Sequence, residues 1–267
     1  MRLSILSDEI DQELGVAARH AAAWGLQFVE LRGFRGQRAP VGVGPAELEE
    51  IHAACATHGV TVGSLSPGLF KVRWDEREIE DHRGALQVQC LDLAEALGVK
   101  TMVVFPPVRA EGEGFEDYPD QVVADFRELA RRAADRGVTV AVENEPICYA
   151  ATGESLARFL ERVNHPALRA NFDPCNGVNA GEQPFPTGYD HLKPFLVHVH
   201  VKDFTGRPGE PGQVVPAGEG TAGWPDLLAA LKRDGYEGFL VVETHFRPPL
   251  GGSERAVRAL QKLVGAL

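Results

Sequence analysis

The chain has 267 residues, 44% of them apolar, and a formal charge of −11. That apolar content supplies a sizeable core, and the acidic balance argues against a nucleic-acid partner, which selects a basic face. The opening MRLSILSDEI reaches acids after a few apolar positions, and no apolar run is long enough to span a bilayer, so neither a secretory leader nor a membrane partner is expected. Cys55, Cys90, Cys148 and Cys175 show no C-x-x-C spacing, which fits reduced thiols in a cytoplasmic setting.

β-Branched runs alternate with amphipathic segments along the chain. The first predicted strand is RLSIL (2–6), followed by the helical pattern ELGVAARHAAAWG. QFVEL (27–31) precedes AELEEIHAACATHG, and VTVGSL (60–65) precedes RGALQVQCLDLAEALG. TMVVF (101–105) leads to QVVADFRELARRAADRG, and VTVAVE (138–143) to GESLARFLERVN. LRANFD (168–173), LVHVHV (196–201) and FLVVE (239–243) complete eight strands, and SERAVRALQKLVGAL closes the chain as a helix. Gly25, Gly59, Gly98 and Gly137 stand just before the following strands, where glycine ends a helix at least steric cost. Strict β-α alternation implies a parallel sheet covered by helices, and eight units in this length match a closed (β/α)8 TIM barrel. An open doubly wound sheet normally shows a glycine-rich turn after its first strand, whereas here the chain reads LSDEID. With no linker or low-complexity tract, residues 1–267 read as one α/β domain.

In such a barrel, function collects where strands end. The fifth strand ends AVENEP, with Glu143 and Glu145 on one face; the sixth ends NFDPCN, giving Asp173 and Asn176. The seventh presents His198, His200 and Lys202 at alternate positions, all to one side, and the eighth ends VVETHF with Glu243 and His245. A single acid at a strand end is most often a cap or a solvated loop residue. Four successive strand ends each carrying an ionisable group point instead to a common site. Packed carboxylates repel one another, and a divalent cation relieves that repulsion. Glu143, Asp173, His200 and Glu243 form an oxygen-rich set with one imidazole, suited to Mn²⁺ or Mg²⁺, with Zn²⁺ or Co²⁺ as further options.

The stretches VENEP, FDPCN, HVHVKD and GEGTAGWPDLLAALKRDGYEGFLVVETHF resemble the sugar phosphate isomerase/epimerase family of xylose isomerase-like TIM barrels, as do LSDEID and VELRG near the start. The resemblance implies Glu143, Asp173, His200 and Glu243 as ligands of one divalent ion. It also implies a small sugar or polyol substrate. Ketose 3-epimerases of that superfamily resemble D-x-x-H after the sixth strand, where this chain has Asn176, which argues against epimerisation of free ketoses. Endonuclease IV carries more ligands and a basic DNA face, which this acidic chain lacks.

The expected chemistry is proton transfer beside a sugar carbonyl, with Glu143 and Glu243 as proton carriers on opposite sides of the substrate and Lys202 steadying an alkoxide. Glu145, Asn176, His198 and Glu30 are candidate substrate contacts. His198 also reads as a hydrogen-bonding residue below the metal, Lys202 as a salt bridge to Glu143 or Asp173, and Glu30 as an internal partner of Arg32. Help from Lys202 or His198 to a departing hydroxyl would make the enzyme a dehydratase of an inosose-like or dehydroshikimate-like substrate. A metal-dependent hydrolase and a non-catalytic polyol-binding barrel are further alternatives. Phe34, Phe70 and Trp74 are candidates for an apolar wall. Oligomeric state is left open, a homo-oligomer included.

Overall fold

The computed structural model describes residues 1–247 and 249–267. Its principal strands are β1 (Arg2–Ile5), β2 (Phe28–Leu31), β3 (Thr61–Leu65), β4 (Thr101–Val104), β5 (Thr139–Glu143), β6 (Leu168–Phe172), β7 (Leu196–Val201) and β8 (Phe239–Val242). A helix follows each in turn: α1 (Leu14–Ala23), α2 (Pro45–His58), α3 (Ala85–Ala96), α4 (Asp120–Asp135), α5 (Gly153–Val163), α6 (Pro174–Asn179), α7 (Trp224–Arg233) and α8 (Pro249–Gly265). The strands pair in parallel in the order β1-β8-β7-β6-β5-β4-β3-β2. A parallel bridge from Leu6 to Glu30 joins the two ends, giving the TIM barrel. The strands lie within a residue of the expected limits. The last helix begins at Pro249, ahead of the expected Ser253.

The four glycines expected to end helices adopt left-handed φ values of 83°, 65°, 67° and 65° at Gly25, Gly59, Gly98 and Gly137. The outer core lies between sheet and helices. On α4, Val122, Phe126, Leu129 and Ala133 recur at helical spacing and are buried, and α5 buries Leu156, Phe159, Leu160 and Val163. Phe126 and Phe159 meet edge to face at 5.0 Å between centroids. Full burial of each such side chain contributes about 1.5–3 kcal/mol.

Inside the barrel, Leu6, Phe239 and Val241 form an apolar floor with Phe28 against it. A Cβ on Gly63 would lie 2.6 Å from the Phe239 ring, so only glycine fits under that ring. Beside these apolar residues lie the polar side chains of Glu30, Ser64, Asn171, His198 and His200, all buried. The register pairs Phe239 with His198 and Val241 with His200, so each histidine sits beside a floor residue of β8 and beneath the strand ends.

Candidate active site

The alternation of β7 buries Val199 and Val201 among the helices and directs His198, His200 and Lys202 to the barrel axis. The Nε2 atoms of His198 and His200 lie 2.7 and 2.8 Å from the two oxygens of Glu30, which also accepts from Ser64 Oγ at 2.5 Å. Burial works to raise the Glu30 pKa, but the two histidines hold it well below the usual carboxylate range. An ionised carboxylate only accepts, so both Nε2 atoms carry protons. His200 Nδ1 is then left facing Glu143 Oε2 at 3.0 Å and Glu243 Oε2 at 3.5 Å. It is buried and makes no hydrogen bond.

A bare nitrogen lone pair beside two carboxylates is repulsive. It requires a proton or a metal ion between the groups. Burial acts to lower the His200 pKa, yet Glu143 and Glu30 raise it well above the usual imidazole value, which marks the same demand for positive charge.

The carboxylates are fixed by neighbours. Asp173 follows β6 and caps α6, its Oδ1 accepting from Asn176 N at 3.0 Å, with Pro174 at the helix's first position. Its Oδ2 accepts from Lys202 Nζ at 2.5 Å. Asn144 clamps the same turn, its Oδ1 accepting from Asp173 N at 2.8 Å and its Nδ2 donating to Asp173 O at 2.9 Å. Glu143 accepts from Asn171 Nδ2 at 3.0 Å and Asn176 Nδ2 at 3.1 Å. Glu243 accepts from Lys202 Nζ at 2.6 Å and from Arg32 Nη1 at 2.7 Å. Arg32 also binds Glu9 at 2.6 Å and Asp8 at 2.9 Å.

Burial raises the Asp173 pKa to about 6, opposed by Lys202 and reinforced by Glu143 and Glu243. For Glu243, burial is outweighed by Lys202, His200 and Arg32, which hold it well below the usual value. Lys202 stays protonated, since Asp173, Glu243 and Glu143 overcome the effect of its burial.

One ligand atom from each of Glu143, Asp173, His200 and Glu243 lies within 4.8 Å of the other three. Two donors on one ion at ~2.1–2.4 Å can be at most ~4.2–4.8 Å apart. The donor set therefore fits a divalent ion, which His200 would ligate through Nδ1. A carboxylate on the other nitrogen of a ligating histidine is the usual orienting partner, and Glu30 occupies that place.

The structure thus gathers the four expected ligands, with Lys202 beside them. A cleft of about 320 Å³ opens above, lined by Glu143, Lys202, Glu243, Asn176 and Glu145. Glu145 is engaged by Lys71 Nζ at 2.5 Å. Two expected substrate contacts need correction: Glu30 and His198 do not line the cleft. Both are fully buried below His200 and bonded to each other. Nor do Phe34 and Phe70 form a wall, being buried in the core; the aromatics that line the cleft are Phe105 and Phe204. Lys202 pairs with Asp173 and Glu243 rather than Glu143. Sequence reasoning misses Asp8, Glu9, Asn144 and Asn171. The acids of LSDEID are the one available signal, and their partner Arg32 comes from the next strand.

His245 lies at the cleft with a left-handed φ of 55°, its Nε2 3.4 Å from Glu243. The loop after β7 carries a short antiparallel ladder of Asp203–Phe204 with Val214–Val215.

Residues 18–263 match the family described as Xylose isomerase-like TIM barrel. An uncharacterized protein of Mycobacterium tuberculosis is 30% identical over 182 residues, 61% of this chain and 62% of its own length. The chain therefore spans less than two thirds of that relative. Among solved structures, the IOLI protein with a bound zinc atom is 20% identical with a TM-score of 0.80, covering 100% of this chain and 99% of its own. The probable 3-DHS dehydratase AsbF of Bacillus anthracis is 18% identical with a TM-score of 0.78, at 98% and 99% coverage. D-allulose 3-epimerase of Methylomonas sp., in complex with D-allulose, is 16% identical with a TM-score of 0.76, at 98% and 96% coverage. At such identities the likeness is one of fold.

Proposed function

The chain belongs to the xylose isomerase-like TIM barrel family, and from that premise we propose a divalent-metal-dependent isomerase or epimerase of a sugar or polyol-derived ketone. The observation that carries the reading is the unbonded, buried Nδ1 of His200 facing Glu143 and Glu243. Glu143, Asp173, His200 and Glu243 would hold the ion, and the oxygen-rich set favours Mn²⁺ or Mg²⁺. Bound there, the ion would supply Lewis-acid polarisation and stabilise negative charge developing on substrate oxygen.

Glu143 and Glu243 come from the non-adjacent strands β5 and β8, and both line the cleft. Glu243 is held ionised, so it can accept a proton from the carbon beside the carbonyl, and Glu143 can return one on the other side. Lys202 is a charged donor at the cleft floor for an oxygen that gains charge. Asn176 and Glu145, which line the cleft, would hold hydroxyl groups. The second reading, dehydration, is favoured by that same Lys202 ammonium, which could protonate a departing hydroxyl, and by the fold likeness to a probable dehydratase. Four buried free cysteines fit a reducing compartment, and we place the protein in the cytoplasm.

Solvent deuterium tests the reading. With Mn²⁺ saturating, ketoses, inososes and hydroxypyruvate are screened in D₂O. The active substrate should gain deuterium at the carbon beside its carbonyl, and Glu243→Gln should slow turnover by roughly two to four orders of magnitude. Turnover without label would reject proton transfer.

A further inference from the structure

Four cations line the cleft: Arg32, Arg38, Lys71 and Lys202. Three have acidic partners. Arg32 binds Asp8, Glu9 and Glu243; Lys202 binds Asp173 and Glu243; and Lys71 binds Glu145. Arg38 differs: among the described residues its guanidinium has neither an ion pair nor a hydrogen bond. It sits on a two-residue ladder after β2, opposite Gly33. Much of the side chain is open to solvent, yet it lies against the following loop, where a Cβ on Gly68 would be 3.8 Å from Nη1. Loss of solvating water at the guanidinium, then the positive charge of Arg32, lower the Arg38 pKa, while the more distant Asp8, Glu243 and Glu143 oppose them without pairing with it.

A second cavity of about 270 Å³ adjoins the cleft, and Arg38 and Lys71 line both. The outer cavity adds Val41, Pro67 and Leu86 as apolar surface, and His82. His82 Nδ1 accepts from Phe70 N at 2.7 Å, which leaves Nε2–H as its free donor. The two cavities therefore meet at a cationic threshold within a protein of charge −11.

We infer that the substrate is an acid: a carboxylate at the end remote from the reacting carbon binds Arg38, with Lys71 beside it, where the two cavities meet. One unpaired cation balances one negative charge, which suits a carboxylate better than a doubly charged phosphate, and the guanidinium fork matches a carboxylate in two parallel hydrogen bonds. The inference rests on the proposed metal-centred reading for the position of the reacting carbon and extends it by naming the substrate class.

The test compares D-gluconate with D-glucitol, two chains of equal length that differ at one terminal group, by calorimetric titration of the Mn²⁺-loaded protein at low salt. Gluconate should bind more tightly than glucitol by roughly tenfold to a hundredfold, the worth of a charge-assisted hydrogen bond. Arg38→Gln should remove most of that difference and leave glucitol as weak as before. Equal binding of the two probes, or no binding of gluconate, would overturn the inference. So would a gluconate preference that survives Arg38→Gln, because the carboxylate would then be held by the ion itself. The titration reads binding alone, so loss of the proton-transfer reading, seen as turnover without label, remains separately visible.

Discussion

His200 is fixed at one nitrogen and open at the other, and Glu30 makes the difference. Its two oxygens accept from two histidines, a task no amide performs, since glutamine offers one acceptor and one NH₂ donor. Glu30→Gln should therefore misplace the His200 proton and weaken metal binding by about 10–100-fold, measured by competition with a chelating dye. Lys202 makes a different prediction. In the absence of a divalent ion it is the main counter-charge for buried Asp173 and Glu243, so Lys202→Met should cost about 3–5 kcal/mol in urea unfolding. Saturating Mn²⁺ should restore part of that loss, because an ion that binds only the folded chain stabilises it; a loss indifferent to Mn²⁺ would contradict the shared-charge account. The ligands are legible in the sequence because a strand end repeats at a fixed level of the barrel. The depth of Glu30 and His198 is not. Alternation tells which side a residue faces, not how far below the cleft it lies, and both fall one layer too low to reach a substrate.

At the scale of elements, two glycines in first helical turns should respond in opposite directions to the same substitution. Gly153 opens α5, and a Cβ there would lie 2.5 Å from the carbonyl oxygen of Gly188 and 2.7 Å from its Cα. Backbone cannot swing aside as a side chain does. Gly153→Ala should therefore cost about 1–3 kcal/mol and also disturb the Glu182 carboxylate that accepts from Gly153 N at 2.7 Å. Gly15, in α1, has nothing within 4 Å of the place a Cβ would take, so Gly15→Ala should stabilise by about 0.4–1 kcal/mol. Chemical denaturation of both variants checks the pair. Elements are the most legible level of the chain. Buried parallel strands are short β-branched runs, and the glycine before each of four strands sets its helix end. The two-residue ladders after β2 and β7 carry no such periodicity, since they are held by turn contacts such as the hydrogen bonds from Gly218 N and Gly220 N to Asp203 Oδ2, both 3.0 Å. The expected aromatic wall fails for a related reason. Phe34 and Phe70 follow strands in the chain but fold back into the core, a turn that local sequence does not announce.

For the whole molecule, closure of the barrel is what makes the site. It brings β1 and β2, with Asp8, Glu9, Glu30 and Arg32, against β5 to β8, so that acids distant in the chain share one buried volume. The fold as a whole is readable because β-α alternation leaves few topologies; the Arg32 clamp is not, because it joins residues from opposite ends of the sequence. Among the described residues no helix is long and apolar enough to cross a membrane. We propose that this closed arrangement holds one divalent ion through His200 Nδ1. Equilibrium dialysis against Mn²⁺, followed by elemental analysis of the protein, measures it. One ion per chain is expected in the native protein, and His200→Ala should lose that ion at the same free Mn²⁺, with the variant's fold verified by circular dichroism. Equal occupancy of the two proteins, or no ion in the native protein, would rule the site out.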